Sequence, residues 1–488
     1  MFSFLSTQPL PLLTYLILTT LFLFTFFSNW GNDDPYITYR YAENLYAGRG
    51  FVYNAGEPIL STTSPLFALL LAGIRFFTSN LPRAANLIGA ISLTIGALFL
   101  WDIARQWKTP FAGWASLALY PTFELLVRTL GSETPLYLAL CLSAVAFYLR
   151  QRYTLAAMLL ALAMLMRGDA AVLAVVLTVD WLFKNVPRPW KGSQTFLQNL
   201  PWKALLAGGT ILFGWCLFAL PYFGSPFPTT LAAKRAQGVM QISEKFAPGF
   251  LTVFLPYFQT PHFGVETILI IVGFIASFWR RSWLLWVSWG VFYFLAYFLL
   301  GVPRYFWYYA PLVPVAVGWI GLGLEEMQRF LVRYRLGGRL SIGITTLFLV
   351  GLAIAQGVRL WQSSQFPDER LSAYRIVGTW LAQNTLPKAR IGVLEVGVIG
   401  YYAAPRPMVD FAGLIQPDVT QLFAPNTTYE HAALWAIAQY QPNVIVLHDG
   451  WFPAVDHFAA ESCRPAKRFP GMETGYSFDL SIYRCQYP

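Results

Sequence analysis

The chain has 488 residues, of which 56% are hydrophobic, 17% aromatic and only 12% charged, and its mean hydropathy is +0.49. A soluble globular chain carries about 25% charged residues, so a mostly soluble protein is excluded. The formal net charge of +10 would suit a nucleic-acid partner, but 14 of the 34 Lys and Arg sit in short loops between apolar runs; that is the positive-inside pattern of a membrane protein, and no nucleic acid is needed to explain it.

Crossing a hydrocarbon core of about 30 Å takes roughly 20 apolar residues. Candidate spans are Leu10 to Ser28, Ala84 to Trp101, Phe111 to Leu126, Thr134 to Leu149, Tyr153 to Met166, Ala170 to Phe183, Ala204 to Pro221, Phe263 to Trp279, Trp283 to Leu300, Phe306 to Leu322 and Ser341 to Val358, eleven in all. No small-residue cleavage site follows the first run, so it is expected to be a retained helix rather than a signal peptide. Leu66 to Phe77 is also apolar, but Pro65 breaks it and Arg75 interrupts it. With the N-terminus inside and Leu66 to Phe77 kept as an interfacial or re-entrant helix, the cytosolic loops hold 14 basic residues, among them Arg188 and Lys191, and the longer outer loops hold 10. The charge bias selects this parity. It places Asp33 to Asn80, Arg128 to Glu133, Arg167 to Asp169, Tyr222 to His262, Gly301 to Tyr305 and the tail after Val358 on one side.

The polar segments of that side carry the candidate chemistry. Asp33-Asp34 directly follows the first span, where two adjacent carboxylates are costly to desolvate. The plain alternative is that they cap a helix beginning near Tyr36. Gly131-Ser132-Glu133-Thr134 opens the fourth span, and read alone its acid lies in a first turn stabilised by the helix dipole. Arg167-Gly168-Asp169 forms the tip of two short spans, suited to a polar group in a wet cavity or to an internal ion pair. Tyr222 to Arg235 begins as a Gly- and Pro-rich turn, after which Thr230 is expected to cap a helix presenting Lys234. Arg304 lies in a similar outer turn.

Several of these stretches carry a family likeness. Asp33-Asp34, Tyr39-Arg40-Tyr41-Ala42, Gly48-Arg49-Gly50-Phe51-Val52-Tyr53-Asn54 and Thr63-Ser64-Pro65-Leu66 resemble the first outer loop of the GT-C superfamily of polytopic glycosyltransferases. The likeness is greatest to its bacterial arabinofuranosyltransferase-like and mannosyltransferase-like branch. The Y-F-G-x-P-x-P-x-T-x-x-A-K stretch ending at Lys234 and the G-x-E-T of Glu133 are similar to segments of the same branch, and the resemblance implies a phosphate ligand at Lys234 and an acid near the reaction centre at Glu133. The resemblance implies an α-helical GT-C-like membrane domain over residues 1–358, with the first outer loop at 29–83. It also implies a multi-pass protein of the bacterial inner membrane that transfers a sugar from a polyprenyl-phosphate donor to a glycan, lipid or protein acceptor on the outer face.

After Val358 the apolar period changes. Asp368 to Leu386 and Tyr429 to Tyr440 read as helices, and Ile391 to Val396, Asn443 to His448 and Ser477 to Cys485 as strands. Residues 359–488 are therefore expected to form an extracytoplasmic α/β domain. Gly397 and Gly400 follow the first strand, but no G-x-G-x-x-G is present, so a lid or acceptor-recognition role is favoured over nucleotide binding. Cys463 and Cys485 either pair in a disulfide or remain free thiols.

The expected reaction is attack of an acceptor hydroxyl on the anomeric carbon, with inversion. Asp33 is expected as base and Asp34 as its orienter, since adjacent acids raise one pKa toward a useful value. Glu133 would orient acceptor hydroxyls, while Lys234, Arg304 and Arg167 would clamp the leaving phosphate. Arg40, in the tyrosine-rich run, is counted with the substrate-binding residues. The prenyl chain would lie along Tyr293 to Phe298 and Phe306 to Tyr309. A divalent metal could bridge an aspartate to the phosphate, although no His-rich or thiolate cluster demands one. A lipid-linked-sugar flippase is the alternative; it calls for midplane ionisable groups and an internal repeat, and no convincing repeat is seen.

Overall fold

The computed structural model describes residues 9–185, 200–258 and 260–487, so Arg188 and Lys191 lie outside the described residues. The chain is mainly helical and carries a five-stranded sheet near its C-terminus. Prolines open many of the helices, where the missing N–H has no partner to lose. Examples are α2 (Pro35–Tyr46), α3 (Pro65–Ile74), α5 (Pro110–Leu119) and α7 (Thr134–Leu149, with Pro135 in the first turn).

Each of the eleven expected spans contains helix, but among the described residues seven are long and apolar enough to cross a membrane by themselves. These are Leu10–Phe27 within α1 (Pro9–Phe27), α4 (Leu81–Gln106), Trp202–Phe223, Pro261–Trp279, Arg281–Leu300, Phe306–Arg333 and the run beginning at Gly338. The count of eleven is not matched for local reasons. Pro121 stops α5 at Leu119, and the chain turns through Tyr120 to Phe123 before the one-turn α6 (Glu124–Val127). The helices α7, α8 (Tyr153–Met166) and α9 (Ala170–Asn185) are only 16, 14 and 16 residues long, whereas the Phe306–Arg333 run keeps its length although Pro311 and Pro314 leave two short 3-10 turns ahead of the Val313–Arg333 helix. The helices α8 and α9 have the expected short-hairpin lengths.

Close helix approach is set by small residues, as membrane interiors favour. A Cβ on Gly273 would lie 2.0 Å from the Trp319 carbonyl oxygen, and one on Gly323 would lie 2.4 Å from that of Leu269. Any side chain at either position would force the Pro261–Trp279 and Val313–Arg333 helices apart.

The C-terminal sheet has the order β2-β1-β3-β5-β4. Strands β1 (Ile391–Val393), β2 (Met408–Asp410) and β3 (Val444–His448) run parallel, whereas β5 (Leu480–Cys485) is antiparallel to β3 and to β4 (Cys463–Phe469). The first and last expected strands are thus shorter than their apolar runs, and β2 and β4 went unread. Asp368 caps the Glu369–Asn384 helix through the Arg370 amide. A disulfide joins Cys463 to Cys485, directly opposite each other across β4 and β5.

In this mixed sheet, chain order reverses direction around β1, because β2 lies on one side of it and β3 on the other. Open α/β sheets bind ligands beyond the carboxyl ends of their strands at such a switch point. The loop leaving β1, Leu394 to Gly397, packs onto the first loop of the membrane domain, and the site forms there.

Candidate active site

The turn Asn32-Asp33-Asp34 leads from α1 into α2. Asp34 already has helical backbone angles and makes no side-chain capping bond, so its carboxylate is available for another partner. Its Oδ2 accepts from Lys234 Nζ at 2.8 Å; the Lys234 side chain is only 4% exposed, and that of Asp34 is 36% exposed. The lysine comes from the Thr229–Gln237 helix. Thr230 does not cap that helix as expected. Its hydroxyl donates instead to the Ser61 carbonyl, and the Thr229 amide donates to that of Leu60, tying the helix to the loop between α2 and α3. Lys234 sits 3.9 Å over the Tyr305 ring and 5.0 Å from that of Trp307, a geometry that favours a cation. Burial alone would push Lys234 down, but the adjacent Asp34 carboxylate more than reverses this and holds it above the usual lysine range.

Asp33 turns the other way and is buried. Its Oδ2 accepts from the Gly397 amide at 2.9 Å and its Oδ1 from the Val398 amide at 2.7 Å, both in the loop after β1. Burial pushes this carboxyl up to about 6; the two amides oppose that shift, and the neighbouring charge of Asp34 adds to it. The glycines that hinted at nucleotide binding are explained by this seam. A Cβ on Gly397 would lie 2.0 Å from the Asp33 carbonyl oxygen, and one on Gly400 would lie 1.9 Å from the Tyr53 hydroxyl.

Arg40 fastens the same seam. Its buried guanidinium donates to the carbonyls of Tyr53 at 2.9 Å and of Gly400 and Arg406 at 2.5 Å each, and lies 4.4 Å over the Tyr53 ring. Every nitrogen of its fork is thus engaged with backbone.

A second cluster forms at the α8–α9 tip. Arg167 donates to Asp169 at 2.7 Å, to the Thr134 hydroxyl at 3.2 Å and to the Tyr297 hydroxyl at 3.1 Å, and lies 3.6 Å from Glu133. Asp169 also accepts from Tyr297 at 2.6 Å and Tyr293 at 3.1 Å. The hydroxyls of Tyr293 and Tyr297 therefore hold an acid, beyond the lipid contact expected of them. Tyr308 joins the two clusters: its ring is 5.8 Å from that of Tyr305 and 4.9 Å from that of Tyr297. Arg304 pairs with Glu244 at 2.5 Å and is 42% exposed.

So Asp33, Asp34 and Lys234 meet in one cluster, Glu133 and Arg167 in an adjoining one, while Arg40 and Arg304 are committed to other partners. Sequence reasoning missed two charged residues of the tail, Glu395 and Arg370. Arg370 forms a two-toothed ion pair with Asp368, and its charge reaches Asp33. Glu395 lies two residues before the amide that holds Asp33, and an acid at the carboxyl end of a buried parallel strand was the available signal.

Among the described residues no group of three or more His, Cys, Asp or Glu side chains could hold a metal ion. Asp33 is turned to amides and Asp34 to an ammonium, so the donor set as arranged does not form a metal cradle, and no step is routed through one. Two other surface cavities, of about 630 Å³ at Gln151–Leu155 and Leu200–Ala204 and about 500 Å³ around Trp107, Arg280 and Glu326, lie in the loops assigned to the other side.

A domain of unknown function, DUF8728, matches residues 362–483. No curated protein matches the chain in sequence. Solved structures match over nearly its whole length. The structure of ArnT from Cupriavidus metallidurans bound to undecaprenyl phosphate is 14% identical, with a TM-score of 0.62 over 96% of this chain and 97% of that one. The chain has the GT-C fold. A second GT-C structure, the archaeal oligosaccharyltransferase AglB from Archaeoglobus fulgidus with an inhibitory peptide and a dolichol-phosphate, is 12% identical, with a TM-score of 0.56 over 98% of this chain and 74% of that one. A third, the Archaeoglobus fulgidus oligosaccharyltransferase in complex with Zn and sulfate, is also 12% identical, with a TM-score of 0.53 over 89% and 68%.

Proposed function

We propose that the protein is a multi-pass membrane glycosyltransferase that takes a sugar from a polyprenyl-phosphate carrier and passes it to a glycan, lipid or protein acceptor on the extracytoplasmic face. The observation that carries this reading is the ion pair of Asp34 with the buried, aromatic-flanked Lys234, set beside the amide-held Asp33. The fold is shared with a protein bound to undecaprenyl phosphate and with one in complex with a dolichol-phosphate. The excess of basic residues in the opposite loops supports an outward-facing site.

On this reading the donor phosphate competes with Asp34 for Lys234. A bound phosphate draws the ammonium toward itself, and the lysine then stabilises the charge that grows on the leaving phosphate as the anomeric bond breaks. Asp34, released from the pair and partly open to solvent, accepts hydrogen bonds from sugar or acceptor hydroxyls. Arg167 and Glu133 hold the adjoining wall, and inversion by direct attack requires no covalent enzyme intermediate. The test is transfer of a radiolabelled sugar from a polyprenyl-phosphate donor to a mixed acceptor pool by purified protein. Transfer is expected in wild type and lost in Asp34→Asn and Lys234→Met. Sugar-lipid translocation that survives both substitutions, without transfer, would instead establish the flippase.

A further inference from the structure

The helix that carries Lys234 is held at both ends. At its start the Thr229 amide and the Thr230 hydroxyl are bound to the carbonyls of Leu60 and Ser61. Its last residue, Gln237, is 1% exposed and lies where three segments meet. The Gln237 side-chain nitrogen donates to the Ala412 carbonyl of the tail at 3.0 Å, and its side-chain oxygen accepts from the Tyr305 hydroxyl at 3.1 Å. The orientation of this amide is fixed by its partners, because a backbone carbonyl can only accept. One side chain thus joins the C-terminal domain to the ring that lies 3.9 Å from Lys234 Nζ.

Both neighbours of Gln237 are firmly placed. On the membrane side, a Cβ on Gly238 would lie 2.1 Å from the Gly301 carbonyl oxygen, so the helix end sits directly on the turn that leads to Tyr305. The Phe246 amide then donates to the Val302 carbonyl at 2.9 Å, and the Arg304 amide to that of Glu244 at 2.8 Å. On the tail side, the loop leaving β2 is wound around the Asp410 carboxylate, which accepts from the amides of Ala412, Leu414 and Ile415 at 2.7, 2.5 and 3.0 Å. That loop holds out the Ala412 carbonyl at a set position. Just past the helix, Met240 is buried in the apolar core of the tail, and the Gln241 amide donates to the Pro425 carbonyl at 3.1 Å.

We infer that Gln237 is a positioning residue of the donor-phosphate site, through which the C-terminal domain holds Lys234 ready for the carrier phosphate. This inference rests on the glycosyltransferase reading and makes the tail a part of the donor site, in addition to any role as a lid. With the tail docked, Ala412 fixes the Gln237 amide, Gln237 fixes the Tyr305 hydroxyl, and the ring is kept against the ammonium. With the tail lifted, a buried N–H loses its acceptor, a cost that sends Gln237 to another partner and frees the ring over Lys234 to move. Coupling of this kind is reciprocal. The factor by which a docked tail favours the phosphate is the factor by which a bound phosphate favours the docked tail. A buried glutamine that only filled space would leave donor affinity and tail docking independent of each other.

The experiment measures binding of undecaprenyl phosphate, in detergent micelles, to wild type, Tyr305→Phe, Gln237→Met and the double variant. Hydrogen exchange of the backbone amides at 410–416 is read by peptide mass spectrometry with and without that probe. Tyr305→Phe keeps a ring over Lys234 and removes only its tie to Gln237, so it tests the relay where Gln237→Met fails to fold. Each single variant is expected to weaken binding about 10-fold. The double variant is expected to bind no more weakly than the worse of the two, because both cut one chain of contacts. The probe is expected to slow exchange at 410–416 by at least about 5-fold in wild type and to leave it unchanged in Tyr305→Phe. Tyr305→Phe binding the probe within about twofold of wild type, or exchange in wild type that is indifferent to the probe, overturns the inference alone. A wild type that does not bind the probe, or binds it equally well after Lys234→Met, overturns the placement of the phosphate in the glycosyltransferase reading and this inference with it.

Discussion

The two polar clusters of the site are built from the same residue types, yet they are finished to different degrees. At the α8–α9 tip, Arg167 spends its donors on Asp169, Thr134 and Tyr297, and Asp169 accepts from the arginine and two tyrosines. At the seam with the tail, Asp34 is partly open to solvent and Glu395 has no partner among the described residues. Buried charges need full partnership to be tolerated, so a saturated network holds shape. An unsaturated one can exchange partners, which is what binding a phosphate and moving a proton require.

The sharpest contrast comes from breaking each cluster by one residue. Arg167→Met leaves Asp169 buried with two hydroxyls and no counter-charge. It is expected to destabilise the membrane domain by about 3 to 5 kcal/mol, seen as a lower melting temperature in detergent. Lys234→Met, in the other cluster, is expected to weaken polyprenyl-phosphate binding by about 100-fold, with a far smaller change in melting temperature. Equal thermal losses in the two variants would erase the distinction between them.

A smaller effect is expected where the seam depends on space alone. In Gly397→Ala the added methyl meets the Asp33 carbonyl, so the loop after β1 must back away, at an expected cost of about 1 to 3 kcal/mol. Protease protection of the tail should fall accordingly, while melting of the helical bundle stays near wild type. The smallest effect is a pH dependence. Because the Glu395 carboxyl is raised in the folded state to about 8, its contribution to stability is complete below its ordinary value and is lost as pH rises through about 8. The melting temperature of wild type should therefore fall relative to Glu395→Gln across that interval. A constant difference would mean that Glu395 is not perturbed.

Much of this was readable in the sequence because the signals are short-range. Runs of apolar residues marked the helices, and the unbroken polarity of Asn32-Asp33-Asp34 marked the acidic turn. Lys234 stood out through its Gly- and Pro-rich approach, which is local chemistry. The helix break at Pro121 was also local, but composition alone did not weigh it against the apolar run around it. What the sequence hid were partners far apart in the chain. Nothing near Asp33 announces the amides of Gly397 and Val398, 364 and 365 residues away. Arg40 looked like a substrate ligand because a basic residue in a polar helix does not reveal that three backbone carbonyls, two of them from the tail, await it. Gly397 and Gly400 were noticed, yet the crowding that demands them is visible only with Asp33 and Tyr53 in place.

The most direct test of the central claim is a structure of the protein in lipid with a polyprenyl-phosphate sugar bound. The account predicts the phosphate on Lys234 Nζ, its ion pair with Asp34 opened, and the sugar hydroxyls on the released Asp34. A headgroup seated away from Lys234, with the Asp34 pair intact, would contradict it.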